Sequence, residues 1–262
     1  MIAKNKWLLA DEFQALSGVF GDLDAIFSLQ GQQITRDAIS DVIRIEQSGI
    51  GYYVKRYRMA GKGVRRWLSK PRIQGEWENL LLFRQLDIPT ASVVAYGQEF
   101  SRGRFIRGAM VTREIQDSTN LAKLASGNDP RLHDPRWFES IARQLASAVR
   151  KLHAIRFTHN DLKWRNILVD RDNQLYLIDC PLGGTWYGPF LQYRIIKDIK
   201  TLDHLAKKYL RKSQRLMFYK MYAKKDRLAK KDKHFIRQML SRKSRRYDGK
   251  NHLRPGHKSP KP

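Results

Sequence analysis

Cysteine is almost absent from this chain, and the single residue, Cys180, excludes an intrachain disulfide and any cysteine-cluster metal site, which fits a reducing compartment. Long apolar runs are also missing. No stretch approaches the roughly 20 apolar residues that cross a bilayer, and Trp7-Leu8-Leu9-Ala10 is too short for a signal-peptide core. Neither export nor membrane insertion is expected. Acidic residues are scarce: 25 Asp and Glu face 51 Lys and Arg, for a net charge of +26. The imbalance is concentrated at one end, because 21 of the basic residues but only Asp226, Asp232 and Asp248 fall between Lys207 and Pro262. Such a segment suits a polyanionic partner, nucleic acid or anionic lipid. What remains is ordinary globular composition, with 42% hydrophobic and 11% aromatic residues in 262, enough for one sizeable folded domain and no internal repeat.

Apolar residues Phe13, Leu16, Phe20, Leu23, Ile26 and Phe27 recur at helical intervals, which predicts one or two short helices broken near Gly18 and Gly21, a helical preface over residues 1–31. Alternation in Asp41–Gln47 and again in Gly51–Tyr57, with Ser48-Gly49 between, predicts two paired strands. Trp77, Leu80, Leu81 and Leu82 mark a helix from Gly75 to Leu86, which ends before Ile88-Pro89. Strands are expected at Val93–Tyr96 and Gly108–Ile115. Asp134-Pro135 is a helix start, and Trp137, Ile141, Leu145, Ala148, Val149 and Leu152 give that helix one long apolar face. Two short apolar runs, 167–169 and 175–178, flank the turn Asp170–Asn173 as a small hairpin, and helices follow.

The chemistry-bearing residues lie between that long helix and the hairpin. Asp161 and Asn166 share the connecting loop, and Asp179 follows the last apolar run. A carboxylate in such a loop can receive the proton of an acceptor hydroxyl, while an amide oxygen and a second carboxylate are hard ligands suited to the metal on a triphosphate. The plain alternative is that Asp161 and Asn166 cap a turn and Asp179 ends a strand. That alternative leaves two charges unexplained at the edges of the most apolar part of the C-terminal half.

His159-Asn160-Asp161-Leu162-Lys163 followed by Asn166 resembles the catalytic loop of protein kinases, with asparagine where arginine usually stands. Ile178-Asp179-Cys180 resembles their metal-binding motif, altered after the aspartate. The resemblance implies an α+β, bilobal protein-kinase-like fold, with a strand-rich N-lobe (32–116) and a mostly helical C-lobe core (117–206), followed by a basic helical region with a flexible end (207–262). It implies ATP and Mg2+ as cofactors: Asp161 orients the hydroxyl and takes its proton, Lys163 steadies the transferring phosphoryl group, and Asn166 with Asp179 holds magnesium. Lys55 resembles the strand lysine that touches the α- and β-phosphates, with Glu76 as its ion-pair partner and Glu78 as rival; a solvated strand lysine is the alternative. Backbone groups of Glu114 and Ile115, placed where kinases have their hinge, are expected to bind adenine. Asp198 is a candidate to brace the catalytic loop, or else an exposed helix acid.

Two departures matter. No glycine occupies Thr35–Asp41, where a phosphate-covering loop is expected, and Gly49 and Gly51 are read as turn residues. No Ala-Pro-Glu follows Asp179, which counts against peptide docking. Tyr52-Tyr-Val-Lys-Arg-Tyr, Gly75-Glu-Trp-Glu-Asn-Leu, Leu86-Asp-Ile-Pro-Thr and Val94-Ala-Tyr-Gly, in that order, resemble the lipopolysaccharide core kinases, which phosphorylate Kdo or heptose. That resemblance implies a lipid-linked core saccharide as acceptor, and a cytoplasmic protein peripherally associated with the inner membrane. The basic C-terminal region would then meet the anionic membrane surface rather than nucleic acid, helped by the amphipathic stretch Gly63–Lys70. Leu216, Phe218, Tyr219, Tyr222, Phe235, Ile236, Met239 and Leu240 predict that part of this region is helical and packed. A serine/threonine protein kinase and a noncatalytic basic kinase-like binding module stay open as alternatives.

Overall fold

A computed structural model describes residues 6–60 and 70–241. The stretch 63–69, expected to be amphipathic, and the expected flexible end from 242 lie outside the described residues. The N-terminal half is built on a six-stranded antiparallel sheet: β1 (Lys6–Leu9), β2 (Gln32–Arg36), β3 (Ser40–Gln47), β4 (Ile50–Tyr57), β5 (Val93–Ser101) and β6 (Arg104–Arg113), in the spatial order β1-β5-β6-β4-β3-β2. β1 was not anticipated. Four residues carry too little pattern, and their strand character comes from pairing with Ala95–Gln98.

The pleat sends alternate side chains of β4 to opposite faces. Tyr52 and Val54 enter a core with Phe20, Ile26, Val94 and Val111, so the preface, with a 3-10 turn at Asp11–Leu16, α1 (Ser17–Phe20) and α2 (Leu23–Ser28), covers the back of the sheet. Arg56 points the same way and is 8% exposed. Its Nε donates to Asp41 Oδ2 at 2.8 Å, and its Nη1 donates to the carbonyls of Phe27 (3.2 Å) and Leu29 (3.0 Å) at the end of α2. This guanidinium satisfies helix-terminal carbonyls that would otherwise be orphaned and locks the preface to the sheet.

On the other face lies α3 (Arg72–Gln85), whose buried stripe is Ile73, Glu76, Asn79, Leu80 and Phe83. The spacing is helical, yet two members are polar, and both reach toward the cleft. The C-lobe follows with β7 (Thr119–Asn120), α4 (Leu121–Ser126) and α5 (Pro135–Ala154), which starts with Asp134 Oδ1 accepting from the Trp137 N–H at 2.7 Å. β8 (Phe157–Thr158) leads into the catalytic-loop segment. β9 (Ile167–Val169) and β10 (Leu175–Leu177) form the expected hairpin, and β11 (Gly184–Thr185) returns to pair with β8. One core runs through both lobes, from Tyr57, Leu80 and Phe83 to Leu152, Leu162 and Ile167.

α6 (Gly188–Tyr209) continues past residue 206, so the expected boundary there falls inside a helix. α7 (Lys212–Ala223) and α8 (Lys230–Ser241) complete the described chain. They pack on the C-lobe through Tyr219 and Met239, with the Tyr222 hydroxyl 2.7 Å from His153 Nδ1, while Leu216 and Leu240 remain partly exposed. No helix among the described residues is long and apolar enough to cross a membrane.

Candidate functional site

Lys55 reaches from the middle of β4 across the cleft. Its Nζ donates to both Glu76 oxygens, at 2.9 and 2.7 Å, and to Asp179 Oδ1 at 2.9 Å. Glu78, one residue from being on the same helical face, instead pairs with Lys70 at the surface. Burial pulls the Lys55 ammonium toward neutrality, but the facing Glu76 and Asp179 outweigh it and hold its pKa well above the ordinary lysine value. Burial raises the Glu76 carboxyl against the pull of Lys55. Asp179 is held below the usual aspartate range, burial being overcome by Lys55, and so stays ionised at neutral pH. Its backbone is left-handed, with φ 57°, a conformation that aspartate tolerates better than most residues.

Asn79, one turn along α3 from Glu76, donates to the Cys180 carbonyl at 2.7 Å and the Gly183 carbonyl at 3.4 Å. The helix bearing Glu76 is therefore fastened to the segment bearing Asp179. A side chain on Gly183 would meet Cys180 Sγ and the Phe157 ring, each at 2.5 Å. Sequence reasoning missed Asn79, whose signal was a polar residue in an apolar helical stripe.

In the catalytic-loop segment Lys163 Nζ lies 2.6 Å from Asp161 Oδ1. Asn166 Nδ2 donates to the Asp161 carbonyl at 2.9 Å and to its Oδ2 at 3.3 Å, and the Ile178 N–H donates to the Asn166 carbonyl at 3.0 Å. Asp161, Asn166 and the approach to Asp179 thus form one hydrogen-bonded unit. With Nδ2 engaged, Asn166 offers Oδ1, and with Lys55 on Oδ1, Asp179 offers Oδ2. One carboxylate and one amide oxygen, completed by phosphate oxygens and water, form a donor set magnesium accepts. No cluster of three or more His, Cys, Asp or Glu suited to a metal occurs among the described residues.

Beneath the loop lies Asp198, 1% exposed on α6. Its oxygens accept the backbone N–H groups of His159 (2.7 Å) and Asn160 (2.8 Å), which is the bracing position and not that of a solvated helix acid. The Trp164 indole N–H donates to the Leu202 carbonyl at 2.9 Å and ties the loop to α6 a second time. His159 is fully buried against Phe83, and burial holds its imidazole pKa below the ordinary histidine value despite Asp198 and Asp161 nearby.

On the nucleotide side, the β2–β3 turn replaces glycine with a carboxylate. Asp37 Oδ1 accepts the N–H groups of Ile39 and Ser40, each at 2.8 Å, so these amides are engaged within the turn instead of lying open to phosphate. Gly49, with φ 76°, is a turn residue as read, but Gly51 is not. A side chain there would collide with the Glu114 carboxylate, which lies over it and is gripped by Arg44 (Nη2, 2.7 Å) and the Tyr53 hydroxyl (2.9 Å). The Glu114 N–H donates to the Gly51 carbonyl at 2.9 Å, and the Ile115 carbonyl accepts from Ser118 Oγ at 2.7 Å. Of the backbone groups expected to meet adenine, only the Glu114 carbonyl and the Ile115 N–H are outside these bonds.

Comparison with known proteins places this geometry. A curated relative, the RIO-type serine/threonine-protein kinase Rio2 of Methanocaldococcus jannaschii, is 28% identical over 157 residues, 59% of this chain and 54% of its own; the chain spans about half the length of that relative. A solved structure of WaaP in complex with acyl carrier protein superposes with a TM-score of 0.71 at 22% identity, covering 90% of this chain and 96% of the other. That likeness shows the bilobal kinase-like α+β fold. The model of the lipopolysaccharide kinase (Kdo/WaaP) family matches residues 24–184, more than half the chain and the stretch that holds Lys55, Glu76, Asp161, Asn166 and Asp179, and the chain belongs to that family.

Proposed function

We propose that this protein is an ATP-dependent kinase that phosphorylates a sugar hydroxyl, on heptose or Kdo, of the lipopolysaccharide inner core at the cytoplasmic face of the inner membrane. The observation that carries the reading is the convergence of Lys55, Glu76 and Asp179 across the cleft, in a chain of the lipopolysaccharide kinase family. In this reading Lys55, fixed by Glu76, holds the α- and β-phosphates, and the Glu114 carbonyl with the Ile115 N–H borders the adenine. Asp161 aligns the sugar hydroxyl and receives its proton, and Lys163 offsets charge on the transferring phosphoryl group. Asn166 Oδ1 and Asp179 Oδ2 hold magnesium, which when bound neutralises the charge of the β- and γ-phosphates.

The acceptor side supports a membrane-bound substrate. After Asp179 the chain exposes Leu182, Tyr187, Phe190 and Tyr193, Phe190 to 70%, with Arg156 over the Tyr187 ring. Aromatic side chains interleaved with cations suit the membrane interface. In the C-lobe an apolar cavity of about 320 Å³, lined by Ile141, Leu145, Trp164, Leu202, Phe218 and Met239 among others, gives a hydrocarbon chain room to lie, in keeping with a lipid-linked acceptor. Mass spectrometry of the lipid A-core from a deletion strain tests the reading. A phosphate missing from the core should return with the wild-type gene and not with Asp161→Ala; unchanged core phosphate refutes it. Lys163, at home in protein kinases, favours a second reading, which phosphate appearing on protein and not on glycolipid would establish.

A further inference from the structure

Arg194 and Lys197 lie one turn apart on α6, beyond the stretch that the family model matches, and both reach the residue that precedes Asp161. Arg194 Nη1 donates to Asn160 Oδ1 at 3.1 Å, and Lys197 Nζ donates to the Asn160 carbonyl at 3.5 Å. These partners are neutral, and among the described residues neither cation is ion-paired with a carboxylate. Asp198, the acid beside them, already accepts the N–H groups of His159 and Asn160. Lys163 brings a third cation to the same place, on Asp161. Burial and the neighbouring Arg194 pull the Lys197 ammonium below the ordinary lysine pKa, against Asp198 and Asp161.

The guanidinium of Arg194 lies over the Trp186 ring, 4.1 Å from its centroid, and its bond to Asn160 anchors it from a second direction before anything binds. Trp186 Nε1 is buried without a hydrogen-bond partner among the described residues. Two oriented cations crowd together beside the catalytic loop, where like charges repel and solvent screens them only partly. An incoming anion relieves that repulsion and gains charge-assisted hydrogen bonds.

We infer that Arg194 and Lys197 form an anion subsite for the acceptor, which grips a carboxylate or phosphate on the sugar and so presents the neighbouring hydroxyl to Asp161. The inference rests on the sugar-kinase reading and narrows it to an acidic saccharide. The anion has two possible sources, the carboxylate of a sugar acid or a phosphate monoester on the saccharide.

The test uses the full chain with ATP, magnesium and deacylated core oligosaccharide in three forms: native, phosphatase-treated and carboxyl-reduced. With wild type, one treatment should raise the oligosaccharide KM about a hundredfold, tenfold for each cation left without its anion, which identifies the source. The double variant Arg194→Gln/Lys197→Met should raise the KM for native oligosaccharide by about tenfold per lost cation, respond to neither treatment, and change the ATP KM by less than about twofold. Lys197→Arg, which keeps the charge, should stay near wild type. An ATP KM that rises in parallel would assign the cations to nucleotide and overturn the inference, as would a wild type indifferent to both treatments. If wild type phosphorylates neither this oligosaccharide nor the acylated lipid A-core in detergent, the sugar-kinase reading fails. Calorimetry with inorganic phosphate, in the presence of magnesium and a non-hydrolysable ATP analogue, then decides the subsite: binding lost in the double variant upholds it, and equal binding overturns it.

Discussion

Replacing Lys55 by methionine keeps most of the side-chain volume and removes the charge that Glu76 and Asp179 share. Glu76 is 4% exposed, so its carboxylate would be left in a low-dielectric site with a second carboxylate close by. Breaking a buried pair from one side costs about 3–5 kcal/mol, a large part of the stability of an ordinary domain. Glu76 can escape part of that cost by taking a proton. Its folded pKa is already raised by burial and rises further without Lys55, so the penalty is smallest in acid and grows as pH rises above the ordinary glutamate value. Lys55→Met/Glu76→Gln removes the deeply buried carboxylate and leaves only the more exposed Asp179 without its partner, so it should recover about half of the loss, whereas phosphoryl transfer stays abolished in both variants. Urea unfolding at pH 5 and pH 8, alongside kinase assays, separates the two effects. A Lys55→Met cost below about 1 kcal/mol, or a double variant less stable than the single, would refute the reasoning.

Arg56→Ala strands the terminal carbonyls of α2 and leaves the Asp41 carboxylate, 2% exposed, with Arg58 as its remaining cation. At about 2 kcal/mol for the unpaired buried groups and 2–4 °C per kcal/mol for a chain of this size, the melting temperature should fall by about 6 °C in calorimetry. His159, whose folded pKa is lowered by burial, binds protons more weakly in the native state than in the unfolded one. Stability should therefore be unaffected by this group above the ordinary histidine pKa of about 6.5 and should decline as pH falls below it; urea midpoints at pH 7.5 and 5.5 check this, with a smaller difference expected in His159→Leu. Gly183→Ala drives a methyl group into Cys180 and Phe157, should cost about 1–3 kcal/mol in denaturant unfolding, and should lower the phosphorylation rate by displacing Asp179.

Local pattern made the middle of the molecule legible. The alternation of β3 and β4, the capped start of α5 and the loop from His159 to Asn166 are all written within a few residues. Contacts between distant segments were not. Lys55 and Arg56 are adjacent cations in sequence, and only the pleat and the position of α2 show that Arg56 is a buried clamp while Lys55 faces the cleft. Asp198 stands 39 residues from His159 in sequence, so its bracing role followed from the fold and not from its neighbours. Gly51 looked like turn chemistry because the Glu114 carboxylate that requires its bareness comes from another strand. Asp37 replaces the missing glycines by closing its own turn, a solution that no glycine pattern signals.

The hydrogen bonds from Asn79 to Cys180 and Gly183 make the helix of Glu76 and the segment of Asp179 a single mechanical part. A swing of that helix, the motion that would break the Lys55 pair and silence the cleft, must also tear those bonds from a buried place. Toggling this helix therefore costs two hydrogen bonds in addition to the Lys55 pair, and the cleft stands assembled before the acceptor arrives.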